Sequence, residues 1–194
     1  MTHAALRTLA AAAAAAAVLT LSGCTVAVMA AYDIATDARA IEVQQTDGAI
    51  ANTIRGELME AGLQRFLAVD VFCHQGVVVL TGVTTPGNDA GTRAVAIARR
   101  QAGVRRVETT FFGERPSRLG DLSLGVRFFT RIFLDSSLLL AHVDFTVING
   151  QLILAGVVQD QAEMEVILRH ARDVAGVKAV KSYLQLKTLQ AKAP

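Results

Sequence analysis

The sequence predicts an α+β protein built from two tandem copies of one small module, each ordered helix, strand, strand, helix, strand. Three observations carry this. Matched residues recur at an offset of 74 positions, apolar spacing within each copy switches from helical to alternating, and a lipid-attachment box marks where the mature chain starts. Two copies are too few for a solenoid, so they are read as small domains in tandem.

The box comes first in the chain. Met1 to Arg7 carries one positive charge, Leu9 to Leu21 is nearly all Ala, Val and Leu, and Leu21-Ser22-Gly23-Cys24 follows. A basic start, an apolar run of about 7–15 residues and small residues at the cut are the layout of a secretory signal peptide. The run is shorter than the roughly 20 residues that span a bilayer. Cys24 directly after Ser-Gly offers a sulfur that can form a thioether to diacylglycerol. Residues 1–23 are therefore expected to be a lipoprotein signal peptide, Cys24 the lipid-attachment residue, and residues 24–44 a lipidated tether with little packed structure. Acyl chains on both the sulfur and the new amino terminus anchor far more firmly than one chain alone. Thr25, where an Asp commonly retains Gram-negative lipoproteins at the inner membrane, points to a periplasm-facing protein anchored in the outer membrane.

Charge excludes a general polyanion binder. The chain has 19 basic and 17 acidic residues, and removing residues 1–23 takes away only Arg7. Nucleic-acid proteins show a clearer basic excess. With Cys24 consumed by lipid, Cys73 remains as a lone thiol on an alternating apolar segment, where it reads as a small buried hydrophobe.

The repeat pairs Asp47 with Asp121, Ile50 with Leu124, Ile54 with Phe128 and Leu58 with Ile132. It continues through Val69-Asp70 with Val143-Asp144, Gly76 with Gly150, and Gly82 with Gly156. Near the end the offset falls to 73, aligning Gly103-Val104 with Gly176-Val177. Ile50, Ile54 and Leu58 recur every fourth residue, as on an amphipathic helix, with Asp47 as a suitable N-cap. Alternation follows in Val69, Val71, Cys73 and then Val78, Leu80. The second copy gives Val143, Phe145, Val147 and then Leu152, Leu154, with the hairpin signal Asn149-Gly150 between them. Second helices are expected over about residues 89–101 and 161–174, ended by Gly103 and Gly176. Last strands are expected over 104–111 and 177–186. The modules are placed at 45–113 and 121–188, with a Gly- and Pro-containing linker at 114–120 and a tail at 189–194. Each module is expected to lay two helices on one face of a three-stranded mixed sheet.

These residues resemble the BON domain of bacterial envelope proteins. The resemblance rests on Asp-x-x-Ile, on Gly76-Val77-Val78-Val79-Leu80-Thr81-Gly82 and Gly150-Gln151-Leu152-Ile153-Leu154-Ala155-Gly156, and on the Gly-Val-x-x-Val segments. Asp37-Ala38-Arg39, Gln45 and Asp47 resemble the lead-in of dual-BON outer-membrane lipoproteins, so the likeness covers about residues 36–187. It implies a non-enzymatic protein that supports envelope integrity, with anionic-phospholipid binding by the second module. An alternative is a protein-interaction module serving another envelope assembly or stress-response machine.

The residues offer little chemistry. There is no Gly-x-Ser-x-Gly elbow, no Walker loop and no Cys-x-x-Cys. His74, His142 and His170 lack ligand spacing and read as surface or turn residues, so no metal or cofactor is expected. Asp70 and Asp144 alternate away from Val69 and Val143, which reads as a solvated strand face.

The second copy carries one surplus. Its first helix keeps the stripe Leu124, Phe128, Ile132 and adds Leu122, Val126, Phe129 and Phe133 where the first copy has Gly48, Asn52, Arg55 and Met59. The apolar arc widens to roughly 200°, against the ~100° that packing on one sheet requires. Arg127 and Arg131 replace Thr53 and Glu57, while Leu138 and Leu139 replace Gln64 and Arg65. Since the first copy does without this surplus, it needs another partner. An apolar face with flanking Arg suits a helix lying at an anionic membrane surface. Packing of the same face against the first module is the alternative. Gly125 in mid-helix weakens the helix by about 1 kcal/mol relative to Ala.

Overall fold

Both helix stripes and both alternating segments fold as expected, in two equivalent halves. The computed structural model describes residues 41–84, 89–114, 117–138 and 142–187. The signal peptide, Cys24, most of the tether, Pro116, Leu139 and the tail lie outside the described residues.

The first half runs α1 (Ile41–Phe66), β1 (Val69–His74), β2 (Val77–Val83), α2 (Ala90–Arg99) and β3 (Arg106–Phe112). The second runs α3 (Arg118–Leu134), a 3-10 turn (Ser136–Leu138), β4 (His142–Ile148), β5 (Gln151–Val158), α4 (Gln161–Arg172) and β6 (Ala179–Leu186). Each sheet is three-stranded and mixed. The central strand pairs antiparallel with its predecessor, as in Val71↔Leu80 and Phe145↔Leu154, and parallel with the last strand, as in Gly82↔Phe111 and Gly156↔Leu184.

Each half has its own core. Ile50, Ile54 and Leu58 of α1 bury against Val71, Cys73, Val78 and Leu80 and against Ala90, Ala94 and Ile97 of α2. Leu124 and Phe128 of α3 meet Val147, Leu152 and Leu154 and Ile167 and Ala171 of α4. The Phe128 ring stands edge-on to Phe145, with centroids 5.0 Å apart. Leu138 is buried in this second core, so its exchange for Gln64 serves packing. Cys73 is buried, as expected, and is in no disulfide among the described residues; its thiol donates to Asp47 Oδ1 at 3.5 Å.

Several expectations need correction. α1 starts at Ile41, four residues inside the expected tether, because Ile41-Glu42-Val43-Gln44 contains no helix breaker. Asp47 therefore sits within the helix and is not its N-cap. It is also broken late, at Gly62, whose φ of +147° only glycine adopts readily; Phe66 beyond it enters the core. α3 starts at Arg118, inside the expected linker, because Ser117 caps it by accepting from Gly120 N at 3.1 Å.

The second face of each sheet is not solvated throughout. Val77, Val79 and Thr81 of β2, and Ile153, Ala155 and Val157 of β5, alternate with the core residues and are buried as well. The modules meet across these faces. His74 Nε2 lies 2.9 Å from Asp144 Oδ2, and Gln185 Nε2 donates to the His74 carbonyl at 3.0 Å. The Tyr183 hydroxyl lies 2.7 Å from Thr110 Oγ1 and donates to the Thr109 carbonyl at 3.0 Å. His74 is thus a buried interface residue, and Asp144 is its partner; Asp70 remains exposed. His170 is partly buried beside Asp135, at 2.7 Å, and is not a plain surface residue. The side chain of His142 lies outside what is described.

Candidate functional site

The site candidate is α3, and the residue that fixes it to the sheet is Asp121. The β4–β5 turn needs positive φ at two successive residues, supplied by Asn149 (+56°) and Gly150 (+76°). Both amides point toward α3, where the Asp121 carboxylate accepts them at 3.0 and 2.8 Å. Asp47 does the same in the first module for Gln75 N at 2.7 Å and Gly76 N at 2.9 Å. The matched aspartates are turn clamps. Sequence spacing marked them as helix starts, and only the fold shows what their carboxylates hold.

With one face of α3 committed to the core, the surplus residues project outward. Leu122, Val126, Phe129 and Phe133 are 64%, 56%, 47% and 65% exposed. Leu119, three residues before Leu122 and seven before Val126, extends the same stripe and is 82% exposed. Leu119 belongs to this stripe because α3 takes in residues of the expected linker. At 100° per residue these five side chains fall within about 80° of arc. The Phe129 and Phe133 rings stack, with centroids 5.6 Å apart. The modules dock through their sheets, so this stripe does not pack against the first module, and the alternative reading of it is set aside.

The basic residues sit elsewhere on the helix. Arg127 and Arg131 lie on the opposite flank of the core face from the Phe stripe, and Arg127 Nη1 donates to the Ala175 carbonyl at 3.1 Å. In the first module Glu57 occupies the place of Arg131. There the Arg100 guanidinium and the Gln101 amide donate to Glu57 and hold its carboxyl below the ordinary range. The second module thus reverses charge at this position. Arg118, not singled out from sequence, stands at the start of the apolar stripe and lines the groove between α3 and β4. Gly125 lies on the groove floor, where a Cβ would stand 3.4 Å from Phe145 Cε2. Among the described residues no group of three His, Cys, Asp or Glu side chains is placed to hold a metal, and no helix is long and apolar enough to cross a membrane.

The BON-domain family model matches residues 46–111 and 131–188. The chain belongs to the BON-domain family. Its two BON modules are the two halves described above. A similar protein, described as an uncharacterized protein in the gshII 5′ region of Anaplasma centrale, is 26% identical over 146 residues, covering 73% of this chain and 95% of that protein. Among solved structures, the C-terminal domain of CdsD, a structural protein of the type III secretion system of Chlamydia trachomatis, is 19% identical. It has a TM-score of 0.28 and covers 73% of this chain and 67% of that one. A second CdsD structure gives 16% identity and a TM-score of 0.25 over 70% of this chain and 62% of the other. In the first BON module the family match takes in α1 from residue 46; in the second it starts at residue 131, past most of α3.

Proposed function

We propose that this protein is a non-enzymatic lipoprotein of the outer membrane, facing the periplasm, that binds anionic phospholipid through α3 and supports envelope integrity. The observation that carries the reading is the exposed stripe Leu122, Val126, Phe129 and Phe133, present in one module and missing from its twin. A helix that lies in a membrane interface needs an apolar face of this kind with basic residues beside it. Arg118 stands beside the stripe, while Arg127 and Arg131 lie on the other flank of the core face, so any attraction they add acts at longer range.

Two experiments test the reading. The Cys24→Ala protein is expected to take up no radiolabelled fatty acid and to leave the membrane fraction; retention there unaided places the anchor elsewhere. Arg127→Glu with Arg131→Glu is expected to weaken binding to phosphatidylglycerol vesicles most at low salt. Each basic residue near an anionic surface contributes about 1 kcal/mol, screened as the Debye length shortens. Equal losses at low and high salt would count against an electrostatic role. Binding only to a protein of the envelope, with none to vesicles, would favour the interaction-module reading.

A further inference from the structure

One side of α3 opens onto β4. Arg118, Leu122, Gly125 and Phe129 follow the spacing i, i+4, i+7 and i+11, so they form a line along the helix, between its core stripe and its exposed stripe. With Phe145 and Val147 of β4 they line a groove of about 530 Å³. The first module reads Gln44, Gly48, Ala51 and Arg55 along the same line. There Ala51 is buried, and Arg55 reaches across to donate to the Val71 carbonyl.

Gly125, which stands where the first module has Ala51, is the informative exchange. Its φ is not positive, so the backbone does not call for a glycine. A Cβ there would meet Phe145 Cε2 at 3.4 Å and Val147 Cγ2 at 3.8 Å, which are ordinary contact distances. A mid-helix glycine where alanine fits weakens the helix. What the missing methyl leaves is a clear groove floor.

The groove ends at a charge. Arg118 lines it, is exposed, and has no ion-pair partner among the described residues. The carboxylate of the lining, Asp121, accepts the two turn amides. At 1.5 Å per residue, Arg118 to Phe129 is about 16 Å of helix. That is close to half of the ~30 Å hydrocarbon core of a bilayer, the depth of one acyl chain.

We propose that the α3–β4 groove holds one acyl chain of an anionic phospholipid, the chain lying along Leu122, Gly125 and Phe129 and the phosphate pairing with Arg118. A long apolar trough with a cation at one end fits an amphiphile charged at one end. The walls take the methylenes out of water, while the phosphate meets a guanidinium at the exposed end. This rests on the membrane reading of α3 and adds to it a seat for a single lipid molecule beside the stripe.

The test uses the chain from residue 25, which keeps both cores, without its own lipid. The probe is fourteen-carbon lysophosphatidylglycerol below its micelle concentration, followed by calorimetry beside a ten-carbon form and the choline counterpart. Saturable binding of one lipid per chain is expected, at least tenfold weaker for the ten-carbon form, since a fully buried methylene contributes about fourfold in affinity. Gly125→Leu fills the floor and leaves the exposed stripe as it is. It is expected to weaken lysolipid binding at least tenfold and to leave binding to phosphatidylglycerol vesicles within about twofold. Gly125→Ala is expected to raise the thermal midpoint and still weaken lysolipid binding, so it decides the matter should Gly125→Leu fail to fold. Arg118→Glu is expected to erase the preference for the glycerol over the choline headgroup. Equal binding of the two chain lengths overturns the proposal, as does unchanged lysolipid binding by folded Gly125 variants. A protein that binds vesicles but no monomeric lysolipid refutes the groove and leaves the membrane reading standing; the converse refutes the membrane reading alone.

Discussion

Asp121→Ala is expected to lower the free energy of unfolding by about 2–4 kcal/mol, one of the largest single-residue effects in the chain. The carboxylate is buried and accepts two amides of a turn held at positive φ by Asn149 and Gly150. Each hydrogen bond to a charged acceptor contributes about 1.5–3 kcal/mol, and a buried amide left without its partner costs about 1–3 kcal/mol. These overlap, which sets the range. Asp47→Ala should cost a similar amount, since Gln75 at φ +50° is a less willing turn residue than Asn149 and depends on its clamp at least as much. Urea denaturation followed by circular dichroism reads both. A loss below about 0.5 kcal/mol would mean that water satisfies the turn amides and that the aspartates are not clamps.

The clamps show where the sequence was legible and where it was not. Ile50, Ile54 and Leu58, the alternation around Val71 and Cys73, and Asn149-Gly150 are local signals, and local physics decided those elements. Asp47 precedes an apolar stripe just as an N-cap does, so its spacing was ambiguous, and the hairpin it holds lies almost thirty residues away. The burial of His74 has a related cause. Its burial depends on β1 meeting the second module, a contact between residues 70 positions apart. One signal of that docking was present: Val77 to Leu80 is continuously apolar, as is Leu152 to Leu154, and an unbroken apolar run in a central strand indicates burial on both faces. Alternation on the edge strands marks one face of each sheet only. The site candidate was legible because the repeat supplied its own control, each surplus apolar residue standing against a Gly, Asn, Arg or Met in the twin helix. Arg118 was not legible as a groove residue, since its place depends on where α3 begins.

Phe129→Asp is expected to abolish detectable binding to phosphatidylglycerol vesicles while leaving the fold in place. Full burial of a Phe contributes about 1.5–3 kcal/mol, and this ring is already about half covered, so roughly 1–2 kcal/mol is available from it. A carboxylate brought to an anionic surface adds a repulsion of about 1 kcal/mol. Together these correspond to a loss of about 30- to 150-fold in affinity. The fold should survive because Phe129 belongs to neither core, whereas its neighbour Phe128 is fully buried. Phe128→Ala therefore serves as the contrast, with an expected loss of about 3–5 kcal/mol in stability from the cavity it leaves. Vesicle cosedimentation and a thermal melt on the same samples separate the two effects. Loss of folding in Phe129→Asp would make that ring a packing residue. Unchanged vesicle binding by a folded protein carrying both Phe129→Asp and Phe133→Asp would remove α3 as the lipid site, because these are the two rings of the stripe and Phe133, at its centre, is the more exposed.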